Sequence, residues 1–267
     1  MMYRKHFAFT RLPFETPAET DELFESSARR EAEARLGHLI DLRGIGLLTG
    51  EVGSGKTTVC RHLAAGLHPG LYRVHYVSLT TGNVLDMYKA IAWELGLPIT
   101  HSRAAARKTI RDEVSRLAGE ARQLPVLIVD EAHHLRNDVL EDLRLLTNFA
   151  MDAEQRLCLI LVGLTELRRR LAMAMHESLA QRLVVRHHLA GLDRDEVEAY
   201  VAHRLRRAGC ELPLFEAPAI EALFQSSRGL PRQINRIAHY ALSAAALDKA
   251  KTVTAEHLQN ALDELQP

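Results

Sequence analysis

The sequence has little that would hold it together covalently or anchor it in a membrane. Its three cysteines, Cys60, Cys158 and Cys210, lie far apart and form no CxxC pair. A disulfide framework or zinc site is therefore not expected, and reduced thiols in a cytoplasm fit that usage. The most apolar run, Leu157 to Leu164, is far shorter than the ~20 residues of a membrane helix, and no long apolar stretch follows Met1–His6 as in a signal peptide. A soluble, cytoplasmic protein with no membrane partner is expected. Charge of one sign is also lacking: 34 Lys and Arg balance 34 Asp and Glu. Global charge thus nominates no nucleic-acid partner, although local patches remain open. Internal repeats and low-complexity segments are absent. What is present is ordinary globular material, 47% hydrophobic and 25% charged over 267 residues. That is enough for one large domain, or a large and a small one.

The segment Phe7 to Phe24 carries Pro13 and Pro17 but is too apolar for a free tail, so it is expected to pack on the body of the protein. Apolar spacing in Arg29–Leu42 predicts a helix. Strands are expected at Gly46–Thr49, Val74–Leu79, Val126–Val129, Leu157–Val162 and Leu183–Leu189, separated by helices at Thr57–Leu67, Val84–Leu95, Ala104–Ala121 and Val139–Ala150. The run Val126-Leu127-Ile128-Val129 does not alternate, which suits a parallel sheet covered on both faces. Strands alternating with helices imply an α/β three-layer fold with a parallel sheet. From about Gly191 only helices are expected, at Arg194–Ala208, Ala217–Gln225, Arg232–Asp248 and Thr254–Leu265. Pro218 in a first turn and Thr254 as an N-cap support their starts. The predicted organisation is an N-terminal extension packed on the core (1–28), an α/β domain (29–190) and a small all-helical domain (191–267).

Gly50-Glu51-Val52-Gly53-Ser54-Gly55-Lys56-Thr57, followed by Thr58, matches G-x-x-x-x-G-K-[ST] between a predicted strand and a predicted helix. Glycines let the loop amides turn inward towards phosphate oxygens at a helix N-terminus. Lys56 then brings positive charge to the β- and γ-phosphates, and the Thr57 hydroxyl ligates Mg²⁺. ATP and Mg²⁺ are the expected cofactors. The second motif is Val126-Leu127-Ile128-Val129-Asp130-Glu131, which puts two acids at the carboxyl end of a buried strand. Ligands bind at that edge of open α/β sheets. Asp130 is expected to hold Mg²⁺, and Glu131 to activate the attacking water. His133 and His134 are read as a polar helix start, and Asp138, Glu141 and Asp142 as surface.

The two motifs and the helical end resemble AAA+ ATPases. Phe7…Pro13-Phe14, Asp130-Glu131-Ala132-His133-His134-Leu135, Leu143-Arg144-Leu145-Leu146-Thr147-Asn148 and Gly229-Leu230-Pro231-Arg232 extend the resemblance to the ExeA/TnsC/MuB group over nearly the whole chain. The resemblance implies a P-loop NTPase fold with a helical lid. It implies a sensor 1 residue after the fourth strand, where Thr165 is the candidate and Asn148 an alternative polar contact. It implies sensor 2 at Arg232, and an arginine finger acting on a neighbouring subunit at Arg182, with Arg186 the runner-up. A homo-oligomeric ring or filament follows from such a finger.

Relatives of the TnsC and MuB kind assemble on DNA and recruit a transposase, whereas relatives of the ExeA kind assist type II secretion and continue into membrane and cell-wall modules. Because the sequence ends at Pro267, just after the lid, the expectation leans towards a transposition regulator on double-stranded DNA. A secretion-accessory ATPase and an ATP-bound switch with little turnover are the alternatives. Arg103, Arg107, Lys108 and Arg111 are the candidate phosphate contacts on DNA, with a solvated helix face equally open. Arg168-Arg169-Arg170 and Arg204, Arg206 and Arg207 are further basic clusters, expected at the surface.

Overall fold

The computed structural model describes residues 2–15, 22–78 and 82–265. Pro17, Leu79 and Pro267 lie outside them. The chain divides into two compact units, one of residues 29–51 and 56–189, the other of residues 1–28, 52–55 and 190–267.

The α/β unit is built on a five-stranded parallel sheet in the order β2-β3-β4-β1-β5. The strands are β1 (Ile45–Gly50), β2 (Tyr72–Ser78), β3 (Leu124–Asp130), β4 (Cys158–Gly163) and β5 (Leu183–Leu189). Every residue of β1, β3 and β4 is buried, the consequence of helices on both faces of a parallel sheet. The edge strand β2 alternates instead, and β5 is only partly buried. Helix α2 (Ser27–Leu42) leads into β1, and helices α3 (Lys56–Gly66), α4 (Val84–Glu94), α5 (Arg103–Gly119), α6 (Asn137–Leu146), α7 (Thr165–Leu171) and α8 (Glu177–Ala180) connect the strands. Local chemistry sets their starts. Asn83 and Asp86 form a capping box on α4, and the Ser102 hydroxyl caps α5. One apolar cluster fills this unit, from Leu47 and Leu127 to Met87, Ile110 and Leu140.

Expectations about α6 and Asp142 fail within this unit. α6 stops at Leu146 rather than Ala150. Phe149 turns into the core at 3% exposure and bridges to Glu154, while Ala150, Met151 and Asp152 all take positive φ. Asp142 is not a surface residue: it is buried, and both of its oxygens accept from Arg103 at 2.7 and 3.1 Å.

The helical unit contains helices α1 (Met2–His6), α9 (Arg194–Arg207), α10 (Ala217–Ser227), α11 (Pro231–Leu247) and α12 (Ala255–Leu265). Asp193 and Glu196 form a capping box on α9, and prolines sit in the first turns of α10 and α11. The N-terminal aromatics belong to this unit's core: Tyr3, Phe9 and Phe14 pack with Leu205, Phe215 and Ala241. Arg204 holds the segment in place. It is 8% exposed and donates to the carbonyls of Pro13, at 2.6 Å, and Glu15. Its reading as a surface cation is therefore replaced by a structural one, because buried carbonyls without a donor are costly. Gly229 has φ +69, and a Cβ there would lie 1.9 Å from the Leu192 carbonyl oxygen, so the turn before α11 requires glycine. Among the described residues, no helix is long and apolar enough to cross a membrane.

Candidate functional site

β1 delivers Gly50 and Glu51 to the carboxyl edge of the sheet, and α3 begins at Lys56. The Lys56 side chain is 8% exposed, and its Nζ donates to the carbonyls of Gly50, at 3.0 Å, and Glu51, at 2.9 Å. Thr57 Oγ1 donates to Asp130 Oδ2 at 2.8 Å. Asp130, the last residue of β3, is 2% exposed. Tyr76 on the neighbouring strand β2 donates its hydroxyl to the same Oδ2 at 2.8 Å, and Oδ1 accepts the Glu131 amide at 2.8 Å. Burial, then the hydrogen bond to Asp130, push the Tyr76 phenol well above its usual range, so it remains a donor. The carboxylate is thus fixed from three sides and faces the helix that carries Lys56 and Thr57. Thr58 follows on that turn, half-buried.

Glu131 has φ 56 and ψ 28, the left-handed region, and keeps its side chain 44% exposed. A non-glycine residue held there costs roughly 1–3 kcal/mol, and such strain gathers at functional sites. Thr165 follows the tip of β4, where Thr49 of β1 pairs with Gly163. Its hydroxyl donates to Glu51 Oε1 at 2.7 Å. The structure therefore brings Lys56, Thr57, Asp130, Glu131, Glu51 and Thr165 to one edge of the sheet.

In the helical unit, Gly53 has φ +81, and a Cβ on it would lie 2.5 Å from the Arg232 Cβ, whose amide donates to the Gly53 carbonyl at 3.3 Å. Arg232 itself is exposed. Gly55 has φ +101, Val52 is exposed, and the Ser54 hydroxyl is buried with no hydrogen-bond partner among the described residues. An orphaned buried hydroxyl between two left-handed glycines fits a loop made for an external acceptor such as phosphate.

Other expected residues lie elsewhere. Asn148 accepts the Asp152 amide at 3.2 Å, and Asp152 pairs with Arg182. Arg182 precedes Leu183, whose partner is Ile45 at the start of β1, while Gly50 at its end pairs with Leu189. Asn148 and Arg182 are thus a strand's length, roughly 16 Å at about 3.3 Å per residue, from the Lys56–Asp130 edge. Asn148 is corrected accordingly: α6 carries the chain back along the sheet, and among the described residues Asn148 bonds Asp152 rather than a group at that edge. Arg186 donates to the Ala180 carbonyl.

Of the DNA candidates, Arg103 pairs with Asp142, Arg107 donates to the Leu145 carbonyl at 3.5 Å, and Arg111 donates to the carbonyls of Leu145 and Asn148. The Arg111 guanidinium also lies 4.2 Å above the Phe149 ring. Arg103 thus pairs with the middle of α6, while Arg107 and Arg111 meet carbonyls at and just beyond its end. Lys108 alone of the four is an exposed cation without a described partner.

Sequence reasoning missed Tyr76 and Arg170. Tyr76 becomes visible only once β2 is known to pair with β3. Arg170, taken for part of a surface cluster, donates to the carbonyls of His133, at 2.9 Å, and Leu135, and so braces the loop after Glu131.

This sheet order, with a phosphate-loop sequence after the first strand and acids after the third, defines a P-loop AAA+ NTPase fold, and residues 40–171 match the protein-family model described as AAA domain. Within that class, the chain is 40% identical over 250 residues to General secretion pathway protein A of Aeromonas hydrophila, covering 91% of this chain and 45% of that protein. The chain thus spans less than half the length of the curated relative it matches. Solved structures with the same fold include Cdc6p from Pyrobaculum aerophilum, with a TM-score of 0.71 and 18% identity over 94% of this chain and 70% of that one. Drosophila ORC bound to DNA gives 0.65 and 22%, over 99% and 65%. The Thermotoga maritima RuvB Holliday junction branch migration motor gives 0.61 and 20%, over 94% and 73%.

Proposed function

We propose that the chain binds Mg-ATP at the Lys56–Asp130 edge and hydrolyses it with Glu131. The observation that carries this reading is the Thr57–Asp130 hydrogen bond of 2.8 Å beside Lys56. Lys56 would exchange its two carbonyl partners for β- and γ-phosphate oxygens, and the amides and hydroxyl of residues 50–55 would face the same phosphates. Thr57 and Asp130 would hold Mg²⁺, which when bound neutralises charge on those oxygens. Glu131 would orient a water and take its proton, with Thr165 as a second polar contact to that water. Arg232, whose amide donates to the Gly53 carbonyl, would supply the sensor 2 contact to phosphate held by that turn. Arg182 stands too far from its own Asp130 to serve there, which supports a finger acting on a neighbouring copy. Nucleotide-dependent homo-oligomerisation follows from that.

The 40% identity to General secretion pathway protein A supports work as an accessory ATPase of a secretion apparatus. A transposition regulator on double-stranded DNA, recruiting a transposase, is the reading the sequence favoured. Three of its four candidate contacts now serve the α5–α6 junction, so it has less support. Steady-state phosphate release with and without duplex DNA tests both. Mg²⁺-dependent turnover that Glu131→Gln abolishes is expected, and stimulation by DNA would move the purpose back to the DNA reading. Absence of turnover in every oligomeric form would contradict hydrolysis and leave a binding switch.

A further inference from the structure

Glu131 precedes a short 3₁₀ turn, Ala132–His134, and its carboxylate lies beside the His133 ring. The His133 side chain is 6% exposed. Its Nδ1 accepts the Leu164 amide, at the tip of β4, at 3.4 Å. With that nitrogen accepting, the proton of the neutral ring sits on Nε2, which faces Glu131 Oε2 at 3.5 Å. Gly163 lets the His133 backbone and Leu167 come close to the tip of β4: a Cβ there would lie 2.9 Å from Leu167 Cδ2 and 3.2 Å from the His133 amide nitrogen. Arg170 fixes the backbone on the other side through the His133 carbonyl. The groups around the ring are Glu131, His134, Lys56 on α3, and Glu166 and Arg170 on α7. Burial, then His134, keep the imidazole below its ordinary pKa, so it is neutral near pH 7 and donates a single proton.

We propose that His133 is the positioning residue of Glu131, its Nε2–H steering the carboxylate and its Nδ1 tying that carboxylate to the tip of β4. This rests on the reading of Glu131 as the base. The consequence is that the base on one strand tip moves with the polar contacts on the next. A nucleotide that shifts the Thr165 end of β4 therefore changes the aim of Glu131 through one ring. Glu131, His133 and His134 also offer one ligand atom each within 4.8 Å of one another. That trio does not make a metal centre with this tautomer, because Nδ1 is occupied by Leu164 and Nε2 carries the proton.

The experiment compares kcat, KM and nucleotide affinity for the full chain and for Glu131→Gln, His133→Ala, His133→Gln and His133→Asn. The amide nitrogen of glutamine replaces Nε2–H, whereas asparagine replaces only the acceptor at Nδ1. Expected is a loss of kcat of about ten-fold or more in His133→Ala, with KM and affinity unchanged. Glutamine should recover most of the rate and asparagine should not. Should His133→Ala melt early, the glutamine and asparagine variants decide alone, and equal rates in the two overturn the proposal. Wild-type kcat in His133→Ala with a dead Glu131→Gln overturns the role of His133 and leaves the base intact. Wild-type kcat in Glu131→Gln removes the base assignment and this inference with it.

Discussion

The Thr57 hydroxyl donates to the Asp130 carboxylate across 2.8 Å, although 73 residues separate the two in the chain. One residue opens the helix after the phosphate loop and the other closes a buried strand two places away in the sheet. Their meeting turns two sequence motifs into one site.

Glu131→Gln keeps the size and shape of the side chain but cannot accept a proton. Turnover is expected to fall by about 10²–10⁴-fold, with nucleotide affinity retained. Single-turnover phosphate release beside equilibrium binding checks this. A loss of affinity equal to the loss of rate would instead assign Glu131 to binding.

Arg182 pairs with Asp152 at the far end of the sheet from Asp130. Arg182→Ala is expected to bind nucleotide normally and hydrolyse it poorly. Mixed with Glu131→Gln protein, it should regain part of the rate, because some junctions then contain one intact base and one intact finger. A mixture no faster than either variant contradicts a shared site.

Arg111 caps the carbonyls of Leu145 and Asn148 and covers Phe149. Arg111→Ala removes the Asn148 carbonyl's side-chain donor and the cover over Phe149, and is expected to lower stability by about 1–3 kcal/mol, with any DNA affinity unchanged. Urea midpoints and a salt-titrated DNA-binding assay read the two effects separately. Unchanged stability with weakened DNA binding would restore the residue to a DNA surface.

Burial holds His75, His133, His176, His187, His203 and His239 below the ordinary histidine value of 6.5. As pH falls past that value, the unfolded chain takes up protons that the folded chain resists. Stability is therefore complete above it and declines through the window below, down to the depressed folded values. Denaturation midpoints should be lower near about pH 5.5 than near about pH 7.5. An equal or higher midpoint at the acid end would contradict the assignment of neutral buried rings.

The strands were legible because a parallel sheet covered on both faces leaves continuous apolar runs such as Val126–Val129, and the phosphate loop because its glycines and lysine occupy fixed places between a strand and a helix. The role of the arginines was not legible. Arg103, Arg107, Arg111, Arg170 and Arg204 look in sequence like solvated or DNA-facing charges, yet each meets a carboxylate or carbonyl supplied by a distant segment. Their partners, Asp142, Leu145, Asn148, His133 and Pro13, depend on helix and loop placement that periodicity does not report. The end of α6 was misplaced for the same reason: the apolar pattern continues through Phe149, but that ring turns inward out of helical geometry.

The most direct test of the account is calorimetric titration of Mg-ATP into the wild-type chain, Lys56→Ala and Asp130→Asn, each also in excess chelator. The account predicts binding by wild type that weakens on Mg²⁺ removal. It predicts near-complete loss in Lys56→Ala, and an affinity for Asp130→Asn that no longer responds to Mg²⁺. Wild-type affinity and Mg²⁺ dependence in both variants would contradict it.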